Sequence, residues 1–134
     1  MNKPIIEFDS YRITKIDYKV VNDSEELRKE LPRHGDIKVS TGFNDDESRA
    51  VLIIETIVID IEQQRKAIVE ISGFFKVNPD EGTESNREYL EINGVAILFP
   101  YIRSIISFIT SLDNEKAIIL PTINTTDFGK DNKK

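Results

Sequence analysis

The sequence predicts an α+β fold: a four-stranded antiparallel sheet, drawn as a meander, with one main amphipathic helix packed on it. Three observations predict it. Four segments between residues 5 and 77 alternate apolar and polar side chains with a period of two. Polar turns and loops separate them, as in consecutive antiparallel strands. One later segment, from Pro100 to Leu112, instead repeats apolar residues at i, i+3, i+4 and i+7.

The first strand runs from Ile5 to Val21. Ile6, Phe8, Ile16, Tyr18 and Val20 share one parity, and the looseness of the alternation between them suggests a bulge. "NDSEELRKELPRHG" follows, either as one helical turn capped by Asn22 or Asp23 or as a crossover loop, ended by Pro32 and Gly35. "DIKVSTGF" alternates cleanly, with Ile37, Val39, Thr41 and Phe43 on one face. After the turn "NDDES", the segment "RAVLIIETIVIDIEQQ" is apolar on both faces at its centre, which fits a strand covered on both sides. "AIVEISGFFKV" places Ala67, Val69, Ile71, Phe75 and Val77 on one face and Ile68, Glu70, Ser72, Phe74 and Lys76 on the other. Gly73 marks a bulge or a close approach. "EKAIILPTIN" reads as a short extended segment closed by Pro121.

The chain has 134 residues, enough for one domain with a real core. That domain is drawn over residues 1–128, with a disordered polar tail over 129–134. Net charge is −6, which argues against nucleic-acid or anionic-membrane binding and suits a basic protein partner. There is no cysteine, so disulfides, thiolate catalysis and cysteine-based zinc sites are excluded, and a reducing cytoplasm is expected. The N-terminus has no apolar core of the kind a signal peptide needs.

The most apolar window is "NGVAILFPYIRSIISFITSL", Asn93 to Leu112. Arg103, three serines and Pro100 interrupt it. Taken to begin at Pro100, the helix is about 20 Å long at about 1.5 Å per residue, too short to cross a bilayer. Stable membrane insertion is therefore not expected. Tyr101, Ile102, Ile105, Ile106 and Ile109 lie on its apolar face; Arg103, Ser107, Thr110 and Ser111 lie opposite. That face either covers the chain's own sheet or also forms a subunit interface.

Nothing in the sequence points to catalysis. The one histidine, His34, stands in a loop; no nucleophile–base set, phosphate loop or metal-ligand spacing is present, and no cofactor is expected. "NDDES" lacks the glycine and the distant glutamate of a calcium loop. What remains is apolar surface: one helix cannot cover Ile37, Val39, Phe43, Leu52, Ile54, Val58 and Phe74 together, and uncovered apolar patches mark binding surfaces or oligomer interfaces.

"ILFPYIRSIISFITS" followed by "AIILPTINTTDF" resembles the protein-export chaperone SecB, whose members carry an "ILFPYAR" helix start and an "LPPVNF"-type segment after the helix. Upstream, "FDSYRITKIDY", "DIKVSTGF", "AVLIIETIVIDIE" and "KAIVEISGFF" look like its four strands, so the resemblance covers Phe8 to Phe128. It implies a four-stranded antiparallel sheet with a packed helix, dimers that pair into tetramers through that helix, and ATP-independent holding of unfolded polypeptides. It implies a client groove on the second strand and the loop before it, matching Ile37, Val39, Thr41 and the Glu30 to Gly35 region. With the apolar-surface argument, the client-binding set becomes Ile37, Val39, Thr41, Phe43 and Phe74.

In exporting members an acidic patch docks the translocase motor SecA. Asp17 and Glu70 match two of its positions, and Val21 stands at a third. The second helix that walls the groove in those members has no counterpart after Phe128 here, so a more open groove is expected. The resemblance thus implies a holdase for unfolded chains, with SecA as a possible partner. The alternative is a dedicated adaptor on the same scaffold, such as a chaperone for one antitoxin. Either way a homodimer or homotetramer is expected, with Tyr101, Ile102, Ile105, Ile106 and Ile109 at its interface.

Overall fold

The computed structural model describes residues 4–78, 86–113 and 115–121; the expected tail over 129–134, the domain boundary at 128 and the "TINTTDF" segment lie outside them. Four strands form one antiparallel sheet: β1 (Ile6–Val20), β2 (Ile37–Phe43), β3 (Arg49–Asp60) and β4 (Arg65–Val77). Their spatial order is β1-β4-β3-β2. The meander therefore holds for β2, β3 and β4, while β1 crosses over to lie beside β4, giving a Greek-key order read in reverse.

The crossover explains the difference. It is helix α1 (Ser24–Glu30), capped by Asp23, whose side chain accepts from the N–H groups of Glu25 and Glu26. Leu27 is its one buried residue, and it packs with Val21 on Ile57, Ile59 and Ile68 of the sheet. Burying that leucine is worth about 2 kcal/mol, which holds the connection across one sheet face and carries the chain from one edge to the other. Pro32 lies in the tight turn Leu31–Arg33 that follows. Gly35 has φ +82°, a conformation that favours glycine. The lone histidine is structural: Ile59 N–H donates to His34 Nδ1 at 2.8 Å, beside the bond from Gly35 N–H to Ile57 C=O at 2.7 Å. The imidazole thus adds one acceptor to the β3 edge just before β2 begins.

β1 carries two register shifts, between Phe8 and Ser10 and between Ile13 and Lys15. Each bulge flips the alternation, and two flips cancel. The parity read at both ends of the strand is therefore correct, and the middle adds Tyr11 and Ile13 to the same face. On β3 the even residues Ala50, Leu52, Ile54 and Val58 are buried on one face, and Ile57 and Ile59 are buried on the other beneath α1. That two-sided cover is why the strand is apolar throughout its centre.

The long helix covers the face opposite α1. It begins with α2 (Asn86–Tyr89), passes through a wide turn over Leu90–Gly94 with i→i+5 bonding, and continues as α3 (Val95–Asp113). Asn93 Nδ2 bonds back to the carbonyl of Tyr89 across that turn at 3.1 Å. Pro100 lies inside the helix and does not start it. It is tolerated because it faces solvent, as does Ala96, whose carbonyl the proline leaves free for water. The continuous segment Asn86–Asp113 is long and apolar enough to cross a membrane, so length does not decide its role. Its packing does: Val95, Leu98, Ile102 and Ile106 are fully buried against the sheet.

Two glycines seat the helix. A Cβ on Gly73 would lie 2.5 Å from Leu98 Cδ1, and one on Gly94 would lie 2.6 Å from Leu52 Cδ2. Gly73 is thus a close approach of helix to sheet. Replacing it by Ala forces buried Leu98 to move, and should cost about 2 kcal/mol in urea unfolding. Truncating Leu98 to Ala in the same chain should relieve part of that cost, so the double variant loses less than the two single losses added. Strict additivity would show that Leu98 does not bear on Gly73.

Glu91, in the wide turn, is 4% exposed, and its Oε2 has no hydrogen-bond partner among the described residues. Burial raises its pKa, the charge of Glu88 adds to this, and Arg87 offsets part of it. An acid whose folded pKa is raised binds its proton more readily in the folded state, so folding stability falls as pH rises through that folded value and is regained as pH drops towards the ordinary glutamate range. Glu91→Gln should therefore gain about 1 kcal/mol at neutral pH, and the gain should vanish below the ordinary glutamate pKa. A difference independent of pH would rule this out.

Candidate functional site

β2 is an edge strand: within the sheet it pairs only with β3. Its register sets Ile37 beside Thr56, Val39 beside Ile54, Thr41 beside Leu52 and Phe43 beside Ala50. All four β2 side chains thus lie on the helix face. They are half-buried, because α3 is seated over β3 and β4 and does not reach the edge. Thr41 Oγ1 is buried and has no hydrogen-bond partner among the described residues. Among the described residues nothing pairs with the outer side of this edge, and a row of backbone groups beside a shallow apolar face is the arrangement that accepts an extended peptide as an added strand.

One flank of α3 is occupied by the chain itself. The helix residues expected to face water instead hold an extended segment, residues 115–121. Arg103 Nε donates to the carbonyl of Leu120 at 2.9 Å, and Ser107 Oγ to that of Ile118 at 2.9 Å. Ile118 N–H donates to Thr110 Oγ1 at 2.9 Å. Leu120 is buried in the main core. At about 100° per residue, this flank of α3 is opposite the one that carries Tyr101. Tyr101 stacks on Tyr11 of β1 with ring centroids 4.4 Å apart, so the 115–121 segment runs on the β2 side. A cleft of about 290 Å³ opens between it and α3, lined by Pro100, Arg103, Ser104, Ser107, Ile119 and Leu120.

Arg65 closes the far end. It is 1% exposed, and Nε pairs with Asp60 at 2.9 Å. Its Nη1 reaches the carbonyl of Thr110 at 3.1 Å, and Nη2 donates to the carbonyl of Lys116. Beside it the Tyr18 hydroxyl bonds Asp113 at 2.6 Å; burial and then that carboxylate raise the Tyr18 pKa, which keeps the phenol protonated as a donor. The loop leading into β2 is fastened as well. Lys66 Nζ donates to Glu30 at 2.6 Å, and that bond lowers the Glu30 pKa. Thr56 Oγ1 donates to the carbonyl of Asp36 at 2.8 Å.

Four of the five expected client-binding residues therefore come together, and the fifth does not. Phe74 pairs with Ser10 and Val51, which puts it on the opposite, open face, where it is 37% exposed. The reason is its parity: Phe75, its neighbour, takes the helix face. Asp17 and Glu70 share the open face as diagonal neighbours. Lys15 stands directly opposite Glu70 and reaches Glu55 at 3.9 Å, while Thr14 Oγ1 donates to Glu70 at 2.9 Å, so the acidic pair is interrupted by a base. Val21 packs beside Leu27.

The expected interface set also divides. Ile102 and Ile106 are fully buried in the chain's own core. Tyr101, Ile105 and Ile109 remain at least partly accessible. Phe108 and Leu112, 64% and 72% exposed, are the large apolar helix residues that face out furthest. Sequence reasoning missed Arg65 and the role of the serine and threonine flank. A basic residue at the start of an otherwise apolar strand face was the available signal. Among the described residues no group of three or more His, Asp or Glu side chains is placed to hold a metal.

No protein-family model matches the chain. The uncharacterised protein MJ0357 of Methanocaldococcus jannaschii is 32% identical over 127 residues, 91% of this chain and 81% of that protein. Among solved structures, the Mycobacterium tuberculosis Rv1957 SecB-like chaperone, in complex with a ChAD peptide from the Rv1956 HigA1 antitoxin, matches with a TM-score of 0.67 at 14% identity, over 88% of this chain and 90% of that one. A protein of unknown function from Streptococcus agalactiae matches with a TM-score of 0.64 at 14% identity, over 87% of this chain and 97% of that one. The chain therefore has a SecB-like fold and belongs to the same family as MJ0357.

Proposed function

We propose that the chain is a non-enzymatic, ATP-independent binder of unfolded or partly folded polypeptides, working in the cytoplasm. The observation that carries this reading is the β2 edge: Ile37, Val39, Thr41 and Phe43 form a half-buried row beside a strand edge that no described residue pairs with. Apolar client side chains gain about 25 cal/mol per Å² on burial there, and the edge adds backbone bonds. The net charge of −6 favours basic clients and keeps complexes soluble. A second reading, a dedicated adaptor for one partner such as an antitoxin, is favoured by the antitoxin peptide bound to the structurally similar chaperone. Docking of an export motor on Asp17 and Glu70 has less support, because Lys15 divides that patch.

An aggregation assay tests the general reading. A several-fold molar excess of the chain should suppress light scattering by a chemically denatured client. Val39→Asp should abolish suppression while circular dichroism still shows a folded chain, with a lowered unfolding midpoint because Val39 packs against the core. Suppression unchanged in that variant would remove β2 from the site. No suppression, with a single stoichiometric partner in pull-down, would favour the adaptor.

Assembly is the second part of the proposal. Ile13 and Ile16 on β1 and Phe108 and Leu112 on α3 are all more than two-fifths exposed on the helix side of the molecule. We infer a homodimer or homotetramer that buries them. Phe108→Asp should reduce the mass found by size-exclusion light scattering to that of a monomer while circular dichroism is retained. A wild-type chain that is already monomeric would refute the inference.

A further inference from the structure

The turn ahead of β2 is fastened to the sheet by a side chain that can take up a proton. Beyond Ile37 the outer side of β3 goes on pairing with the loop. Gly35 N–H donates to Ile57 C=O at 2.7 Å, and Ile57 N–H to Asp36 C=O at 3.4 Å. Two residues further along β3 the partner is no longer backbone: Ile59 N–H donates to His34 Nδ1 at 2.8 Å. Because the donor is a backbone N–H, the nitrogen facing it carries the lone pair. The ring is therefore neutral, with its hydrogen on Nε2.

A second proton has only Nδ1 to go to. It would remove the lone pair and set two N–H groups against each other, so the bond and the protonated ring exclude one another. The neighbouring charges do not compensate. They are Glu30 and Arg33 before the ring, Asp36 after it, Asp60 next to Ile59 on β3, and Lys66 opposite Ile59 on β4. Glu30 is taken by Lys66 at 2.6 Å and Arg33 at 3.5 Å, and Asp60 by Arg65 at 2.9 Å. Among the described residues no carboxylate pairs with the imidazole. His34 is exposed, so a charged ring can turn out to water.

We propose that His34 is a proton-operated latch on the turn that leads into the client edge, an inference that rests on the reading of β2 as that edge. Closed, the ring ties the turn Leu31–Arg33 to β3. Open, the turn is held at its two ends, by Lys66 on Glu30 and by the backbone bonds of Gly35 and Asp36. Those ends confine the movement to residues 31–34 and leave β2 paired with β3. The effect is thus on affinity and not on the fold. Ile37, the first residue of the edge, follows Gly35 by two positions. A client docking there has to order the loosened turn beside it, which weakens binding. The bond needs an unprotonated Nδ1. The latch is therefore closed at the upper end of the range in which histidines as a class change charge, about pH 5 to 8, and opens towards the lower end. Client holding weakens in the same direction.

The test uses the full-length, ¹⁵N-labelled chain beside His34→Asn, in which an amide oxygen takes the place of Nδ1 and gains no proton. At pH 8 the long-range ¹H–¹⁵N couplings of the ring should place its hydrogen on Nε2. Between pH 8 and pH 5 the hydrogen-exchange protection factor of the Ile59 amide should fall about tenfold in the wild type and hold in His34→Asn. Aggregation assays then compare the two chains at each pH, which removes the client's own response. The ratio of their half-suppression concentrations, wild type to variant, should rise about threefold from pH 8 to pH 5. A ring hydrogen on Nδ1 at pH 8, a protection factor that does not change with pH, or one that falls equally in His34→Asn would each overturn the latch. A constant suppression ratio would overturn its link to the client edge. Absence of suppression at both pH values would defeat the β2 reading itself, and the Ile59 measurement, which needs no client, separates that result from failure of the latch.

Discussion

One buried guanidinium ties together parts of the chain that the sequence keeps far apart. Arg65 opens β4, yet its hydrogen bonds reach the end of β3 at Asp60, the last turn of α3 at the Thr110 carbonyl, and the extended segment at Lys116. Burial opposes its charge, but the bonds to Tyr18 and Asp60 outweigh that and raise its pKa above the ordinary arginine value. A guanidinium suits the position because its donors are fixed in a plane and point to several acceptors at once; a lysine would offer one small ammonium. Removing it would leave Asp60 and two carbonyls to be resolvated in a closed corner, where each lost bond to a charged group costs about 2 kcal/mol.

From that corner the helix and the extended segment run together along the sheet. The two glycines fix where. Leu98 fits against Gly73 on β4, and Leu52 of β3 fits against Gly94, so the helix axis lies over the inner strands. On its β1 flank the gap is filled by aromatic rings, Phe8, Tyr11 and Tyr101. On its β2 flank it is filled by a backbone held through Arg103, Ser107 and Thr110. A helix placed there cannot also cover the outer edge. The accessibility of Ile37, Val39, Thr41 and Phe43 follows from the seating of the helix, and their half-burial follows from the core beside them.

Strand faces were legible in the sequence because a period of two is local and strong. Even the two bulges of β1 left their mark as a loose alternation, although only pairing with β4 shows where they fall. The parity of Phe74 already put it with Glu70 and Lys76 and away from Phe75, and apolar character alone wrongly joined it to the β2 set. The start of the helix was misplaced because Pro100 normally marks a first turn, and the wide turn before it has no sequence signature that distinguishes it from a loop. Periodicity puts Ile102 and Ile106 on the same apolar face as Tyr101, Ile105 and Ile109 without saying how much of that face one sheet consumes. Pairing of β1 with β4, and the work of Arg65, depend on contacts between residues more than forty positions apart, which no local pattern records.

The two faces of the sheet answer different constraints. On the helix face, nearly every apolar residue is committed to the core, and what remains accessible lies at the two edges, β1 and β2. On the open face, α1 is only seven residues long and contributes a single buried side chain. It can shield Ile57, Ile59 and Ile68 but no more. Beyond it the row Lys15, Glu70, Glu55 and Lys38 runs across all four strands with its two acids opposite one another, and Lys15 and Thr14 supply the compensating contacts. That row keeps the middle of the face wet. The apolar surface of Val51 and Phe74 past it is therefore isolated from the α1 cluster, and burial by the chain's own helices does not explain it. A short crossover thus both connects the strands and determines which part of the open face α1 itself covers.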